Sequence, residues 1–90
     1  MAYRVEIPRT AQKQVLALPR EAQLAVARAI DGLKSDPRPE GCRKLRETGL
    51  WRIRVGRYRV VFAIDDTGQV VAVVKVALRR EDTYSGLGAA

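Results

Sequence analysis

The fold of this chain is decided by residues 50–62, which read LWRIRVGRYRVVF. Apolar and charged residues alternate on both sides of Gly56, and this period of two predicts two strands joined by a tight turn. If the turn has two residues, Arg54 lies opposite Arg59 in the antiparallel pair. Like charges directly opposite one another are destabilising. A protein retains such a pair most easily when a polyanion binds it.

The basic charge of the chain is concentrated around this hairpin. The 90 residues carry a formal charge of +7, and residues 43–59 alone hold seven basic side chains against Glu47, a net +6. Charge that is clustered in this way favours binding to nucleic acid, an acidic protein or an anionic surface. Thirteen of the 17 basic residues are arginine, whose planar guanidinium suits bidentate contacts with phosphate. Phosphate is therefore the leading ligand class.

The residues before the hairpin predict a strand and a pair of helices. Residues 3–7 alternate as a short strand, and residues 11–18 have helical spacing with Thr10 as the N-cap. Pro19 suits the first turn of a second helix. The apolar stripe of that helix consists of Ala22, Val26, Ala29, Ile30 and Leu33. These segments predict a helical hairpin that buries one face.

The remaining segments predict a loop, a turn and a last strand. Residues 35–48 contain two prolines and a glycine among charges and are interpreted as an exposed loop. Residues 65–68 predict a turn with Gly68 at positive φ. Residues 70–78 are almost continuously apolar, which predicts a central strand covered on both faces. The order βααβββ predicts a single α+β domain over residues 1–90, with an antiparallel sheet packed on the N-terminal helical hairpin.

The alternation in the hairpin also predicts which face of the sheet is basic. Trp51 and its apolar neighbours in the first strand face the helices, where Trp51 is expected to anchor the core. Arg52, Arg54 and Arg59 then lie on the opposite face. A solvated surface explains any one of these arginines, but their convergence favours a binding surface.

Several kinds of site are excluded by composition. The chain has no histidine and one cysteine, Cys42, so neither a Ser-His-Asp or Cys-His arrangement nor a zinc site can be assembled. We therefore expect neither a metal nor a cofactor, and any catalysis must come from Arg, Lys, Tyr, Glu or Asp. The single thiol fits a reducing cytosol. The apolar runs 60–64 and 70–74 are too short to span a bilayer, so a cytoplasmic protein without membrane contact is predicted.

The motifs, taken in order, resemble the RelE/ParE toxin superfamily of bacterial type II toxin–antitoxin modules. The resemblance covers nearly the whole chain. It rests on Leu18-Pro19 in the helical hairpin, Lys44-Leu45-Arg46, the hairpin with its flanking Gly49, and the ending RREDTY at residues 79–84. In that ending Arg79 stands where the family pattern has a histidine.

The resemblance implies a RelE-type mRNA interferase, a metal-independent endoribonuclease. Such a toxin enters the ribosomal A site and cuts messenger RNA by attack of a ribose 2′-hydroxyl on the adjacent phosphate, which inhibits translation. It also implies a cognate RelB-like antitoxin as partner. The two chains are expected to form a toxin–antitoxin heterotetramer that binds operator DNA through the antitoxin.

Site residues follow from the same resemblance. Arg59 and Arg80 match the phosphate-binding and catalytic arginines, and Tyr84 matches the C-terminal tyrosine. Arg52 and Arg54 match positions that are lysine in well-known ribonuclease members, and arginine essentially never releases its proton. The expected catalytic set is thus Arg52, Arg54, Arg59, Arg80 and Tyr84, with Lys44, Arg46, Arg57 and Arg79 contacting RNA.

The identity of the general base stays open at this point. Tyr84 is one candidate, Glu47 and Glu81 are others, and ribosomal RNA is a further source of the group. Two other functions also remain: a ParE-like toxin that inhibits DNA gyrase without nuclease chemistry, and a basic RNA-binding module.

Overall fold

The computed structural model describes residues 2–78. Two helices and a five-stranded sheet follow one another along the chain. Their bounds are β1 Arg4–Glu6, α1 Arg9–Leu16, α2 Arg20–Gly32, β2 Arg43–Lys44, β3 Trp51–Val55, β4 Tyr58–Asp65 and β5 Val70–Leu78. The order across the sheet is β1-β5-β4-β3-β2. The predicted α+β class is confirmed. The sheet is mixed and not wholly antiparallel as predicted, because β1 pairs parallel with β5 while the other neighbours are antiparallel.

Prolines start both helices. Pro8 is the N-cap of α1, so the helix begins at Arg9 and the prediction of Thr10 as the cap is wrong. The fixed φ of proline suits a helix start, and its missing N–H is not needed there. Pro19 likewise caps α2. Between the helices, Gln23 Nε2 donates to the carbonyls of Leu16 and Leu18 at 3.1 and 2.8 Å and closes the helical hairpin.

The hairpin register is the predicted one. Val55 pairs with Tyr58 and Arg54 with Arg59. Gly56 occupies the first central position of the turn with φ of +60°. Positive φ at that position is what a type II′ turn requires, and glycine adopts it without steric cost.

The segment 35–48 is not entirely a loop. Arg43 pairs with Arg52 and Lys44 with Trp51, so a short edge strand lies within it. A strand of two residues is too short to show a period of two in the sequence. This pairing holds the basic end of the segment against β3.

The turn between β4 and β5 also differs from its prediction. Gln69, with φ of +55°, takes the left-handed conformation, and Gly68 does not. The N–H of Gly68 donates to Asp65 Oδ1 at 3.1 Å. A Cβ at Gly68 would lie 2.8 Å from Asp65 Oδ2. Glycine at this position lets the Asp65 carboxylate lie close to the backbone, and its φ is not positive.

One face of the sheet packs against the helices. The core residues are Ala11, Val26, Ile30, Leu33, Ile53, Val60, Phe62, Val71, Val73 and Val76, and Trp51 packs against them. The predicted stripe of α2 contributes Val26, Ile30 and Leu33 to this core, with Ala29 packed against it, whereas Ala22 is not among these residues and α1 contributes Ala11. The expectation that β5 is covered on both faces is wrong for residues 2–78, since Val74 is 45% exposed. We call the sheet face that points away from the helices the open face.

Candidate nucleic-acid interface

The register of the strands identifies the side chains on the open face. Residues directly opposite one another in a sheet share a face. Starting from Arg54, which alternates with the core residue Ile53, the pairings lead across four strands. The members of the open face on these strands include Arg43, Arg52, Arg54, Arg59, Val61, Lys75 and Ala77.

Two pairs of arginines face each other on this surface. Arg54 lies opposite Arg59, and Arg43 lies opposite Arg52. Arg54 and Arg43 are exposed and Arg59 is half-buried. Cations directly opposite in an antiparallel pair repel. An anion that binds between them removes the repulsion, so the open face is electrostatically suited to phosphate.

Arg52 is much less accessible than its predicted role suggests. Only 8% of its surface is exposed. An arginine in the middle of a sheet face can lay its aliphatic stem along neighbouring strands. Its charge therefore contributes to the field of the open face, while Arg54 and Arg43 offer the accessible guanidinium groups.

A cavity of about 330 Å³ lies at the β3 edge beside these arginines. It is lined by Glu40, Gly41, Arg43, Arg52, Ile53 and Arg54. Three guanidinium groups against one carboxylate make the cavity cationic. Because the cavity lies at the edge of the open face, an anionic chain on that face can bind in it.

The other predicted RNA contacts are dispersed. Lys44 pairs with Trp51, which places it on the helix side of the sheet, and its Nζ lies 5.9 Å from the indole centroid. Exposed Arg46 precedes β3, whereas exposed Arg57 lies in the turn that follows β3. At about 3.4 Å per residue, the two ends of β3 are about 14 Å apart. The structure does not bring Lys44 and Arg46 together with Arg54 and Arg59.

A polar network that the sequence did not reveal holds β2 in place. Arg38 Nη1 and Nη2 donate to the two carboxylate oxygens of Asp66 at 3.1 and 2.9 Å, and the Tyr3 hydroxyl donates to Asp66 Oδ1 at 2.7 Å. The guanidinium of Arg38 also lies 4.8 Å from the Trp51 ring centroid. The network thus ties the segment before β2 to β3, to the β4–β5 turn and to the residue before β1.

The charges of this network shift the pKa values of its members. The hydrogen bonds from Arg38, then from Tyr3, lower the pKa of Asp66 to about 2. The hydrogen bond to Asp66 raises the pKa of Tyr3. The partners are 28 and 63 residues apart in sequence, so no local pattern could have identified them. Asp66 is consequently a structural anion and not a proton acceptor at neutral pH.

The described residues offer neither a reactive thiol nor a set of metal-ligating side chains. Burial raises the pKa of the half-buried Cys42 thiol, which disfavours the nucleophilic thiolate. Within residues 2–78 no cluster of three or more metal-ligating side chains is present. No helix of this part of the chain is both long and apolar enough to cross a membrane.

The C-terminal members of the predicted site, Arg79, Arg80, Glu81 and Tyr84, lie outside the described residues. The last described residue, Leu78, pairs with Tyr58. Strand β5 therefore ends beside the turn of the arginine hairpin.

Solved structures share this fold. The archaeal RelE–RelB complex from Pyrococcus horikoshii OT3 matches with a TM-score of 0.80 and 30% identity, over 90% of this chain and 99% of that chain. The RelBE2 toxin–antitoxin complex from Mycobacterium tuberculosis matches with a TM-score of 0.78 and 28% identity, over 88% and 100%. The isolated RelE toxin from E. coli matches with a TM-score of 0.75 and 25% identity, over 98% and 97%.

The fold and the arginine-rich open face thus define a small basic RelE-like toxin. The family model described as ParE toxin of type II toxin-antitoxin system, parDE, matches residues 5–83. The chain belongs to this family, within the RelE/ParE superfamily, and is the toxin of a type II toxin–antitoxin system. A comparison with curated protein sequences gives no match.

Proposed function

We propose that this toxin is a ribosome-dependent endoribonuclease that cleaves messenger RNA in the A site. The observation that supports this most directly is the arginine pair Arg54–Arg59, with Arg43–Arg52 beside it on the open face. Cations directly opposite one another in an antiparallel pair repel. A phosphodiester bound at this face would interact favourably with both pairs.

The chemistry follows from the charges that develop at the phosphate. The ribose 2′-oxygen loses its proton and forms a bond to phosphorus, the bond from phosphorus to the 5′-oxygen breaks, and that oxygen takes a proton from water, so the products are a cyclic phosphate and a free 5′-hydroxyl. Arg54 and Arg59 stabilise the negative charge that grows on the phosphoryl oxygens, and Arg52 adds to the field from its buried position. Arg80, beyond the described residues, completes this set.

The proton of the 2′-hydroxyl needs an acceptor other than arginine. We assign this role to Tyr84, which matches the C-terminal tyrosine of the superfamily, because a phenol that lies beside the site arginines has its pKa lowered by their charge. Glu47 precedes β3 while Arg54 lies near its other end, so that carboxylate does not share the phosphate position. Arg46, Arg57 and Arg79 contact flanking RNA, and Lys44 contacts RNA or ribosome from the edge of the sheet.

The partners follow from the same proposal. The solved relatives include RelE–RelB and RelBE complexes, and a RelB-like antitoxin with an acidic segment complements the open face of this chain. A toxin–antitoxin heterotetramer then binds operator DNA through the antitoxin. The free toxin acts in the cytoplasm, where ribosomes and messenger RNA are present, and needs no cofactor.

Inhibition of DNA gyrase is the second candidate function. It is favoured by the family match, which is to the ParE toxin model, and by arginine in place of lysine at positions 52 and 54. A gyrase inhibitor uses the same basic fold for binding alone and needs no proton acceptor. A basic module that only binds RNA is the third candidate function.

Programmed ribosomes and a supercoiling assay separate these functions. The purified toxin is incubated with ribosomes that carry a defined message, and separately with gyrase and relaxed plasmid. Cleavage of the message in the A site supports the proposal, whereas inhibited supercoiling without cleavage contradicts it.

Variants locate the activity on the open face. Arg59→Ala is expected to abolish cleavage and growth arrest while the protein remains folded by circular dichroism. Arg28→Ala is the matched control, because Arg28 is exposed on α2, a helix on the other side of the sheet. If Arg59→Ala is as active as the Arg28→Ala control, the open face is not the site.

A further inference from the structure

Strand β5 contains a bulge that changes the face to which its residues belong. Val61 pairs with Lys75, but the next residue of β4, Phe62, pairs with Val73. Val74 is therefore the extra residue and has no partner in the ladder. Val73 on one side of the bulge is fully buried, and Val76 on the other side is 4% exposed.

Without the bulge, Lys75 would point into the core. Val71 and Val73 alternate inward, and a strict period of two would place residue 75 inward as well. The extra residue moves Lys75 to the open face, where it is exposed. Burial of an unpaired ammonium in the core would be costly. Bulges are enriched next to functional sites, where they redirect a side chain.

Lys75 lies beside the arginines of the proposed site. Arg59 pairs with Ala77, so Lys75 is its diagonal neighbour, at about 7–8 Å between Cα atoms. Val61, the direct partner of Lys75, is also the direct partner of Arg52. Of the lysines in residues 2–78, Lys75 alone belongs to the open face on β2–β5, and no ion pair within that range engages it.

We propose that Lys75 binds the RNA backbone at the phosphate next to the one held by Arg59. This inference rests on the proposed function, because it assigns a further contact to the same substrate. The row Arg43, Arg52, Val61, Lys75 crosses four strands. At about 4.8 Å per strand it spans about 14 Å. The message therefore runs across the strands, from the cavity at the β3 edge to β5.

The test measures how much of the binding depends on the charge at position 75. The probe is a short labelled RNA of mixed sequence with 2′-deoxy substitutions that prevent cleavage, and its affinity is measured by fluorescence anisotropy over a range of salt concentrations. One phosphate contact contributes a slope of about 0.7 in log affinity against log salt for a single strand. This slope corresponds to about fivefold in affinity at about 0.1 M salt, relative to a 1 M reference.

The variants are Lys75→Met, Lys75→Arg and the control Lys13→Met on α1. Lys75→Met is expected to weaken binding about fivefold and to reduce the salt slope by about 0.7. Lys75→Arg is expected to retain both values, because a backbone contact requires only the cation. Lys13→Met is expected to match the parent, since Lys13 lies on a helix outside the open face. The Lys75 side chain is exposed, so all variants should fold.

Each outcome bears on a different claim. If the parent cleaves messages on ribosomes and Lys75→Met binds RNA as the parent does, the inference about Lys75 is overturned while the proposed function stands. If Lys75→Arg binds as weakly as Lys75→Met, a backbone contact by charge is likewise refuted. If the parent neither binds the RNA nor cleaves messages on ribosomes, the proposed function fails and this inference fails with it.

Discussion

Replacing Arg54 with glutamine should stabilise this protein and impair its activity together. Arg54 is exposed and lies directly opposite Arg59. Glutamine keeps much of the length of the side chain and removes the charge. The hairpin then loses a repulsive pair, and the proposed site loses one of its phosphate contacts.

The size of the stabilisation can be estimated from the register. Guanidinium groups that extend from opposite positions into water and splay to about 7 Å repel by about 0.6 kcal/mol at the dielectric constant of water. Cross-strand pairs generally contribute about 0.2–1 kcal/mol. For a domain of this size, 0.6 kcal/mol corresponds to a rise in Tm of about 2–5 °C.

The assay is thermal and urea unfolding at low salt and at about 1 M salt. The gain should vanish at the higher concentration, where the Debye length is about 3 Å. Arg57→Gln is the control, because it changes the net charge equally but lies in the turn, without a cation directly opposite. If Arg54→Gln is no more stable than Arg57→Gln at low salt, or if its gain survives high salt, the facing charges are not the cause. Message cleavage on programmed ribosomes should fall for Arg54→Gln in the same preparations.

Three further changes test the core, the polar network and the chemistry. Phe62→Ala should lower the free energy of unfolding by about 3–5 kcal/mol, because Phe62 is fully buried; a loss below about 1 kcal/mol in urea unfolding would contradict the packing. The folded pKa of Asp66 is lowered from 3.8 to about 2, so its contribution to stability is present above pH 3.8 and is lost as the pH falls toward 2. As the pH falls from 3.8 to about 2, the free energy of unfolding of Asp66→Asn should therefore decrease less than that of the parent. Equal decreases would show that Arg38 and Tyr3 do not stabilise the carboxylate. Tyr84→Phe should slow single-turnover cleavage on ribosomes if the phenolate oxygen of Tyr84 accepts the proton, whereas an unchanged rate would limit Tyr84 to stacking.

Local patterns were sufficient for most of the secondary structure. The register that sets Arg54 against Arg59 followed from alternation around a two-residue turn, and both depend on neighbouring residues only. The apolar stripe of α2 predicted the helical side of the core for the same reason. The starts and ends of elements were less accurate, as with Thr10, because a cap depends on backbone geometry that proline at position 8 had already set.

Contacts between distant segments could not be derived in this way. The pairing of β2 with β3 involves a strand, β2, that is too short to show a pattern, and it placed Lys44 on the face away from Arg54. The bond between Arg38 and Asp66 spans 28 residues. The burial of Arg52 depends on the side chains that surround it in the assembled sheet.

By itself, the sequence determined a basic hairpin, a helical hairpin and the superfamily to which they belong. Only the tertiary structure decided which cations share the open face, and Lys75 illustrates the reason. The face of a strand residue depends on the number of residues between it and the next paired position, and a single unpaired residue at Val74 reverses that face. Whether a strand bulges is decided by the partner strand and the core against which it packs.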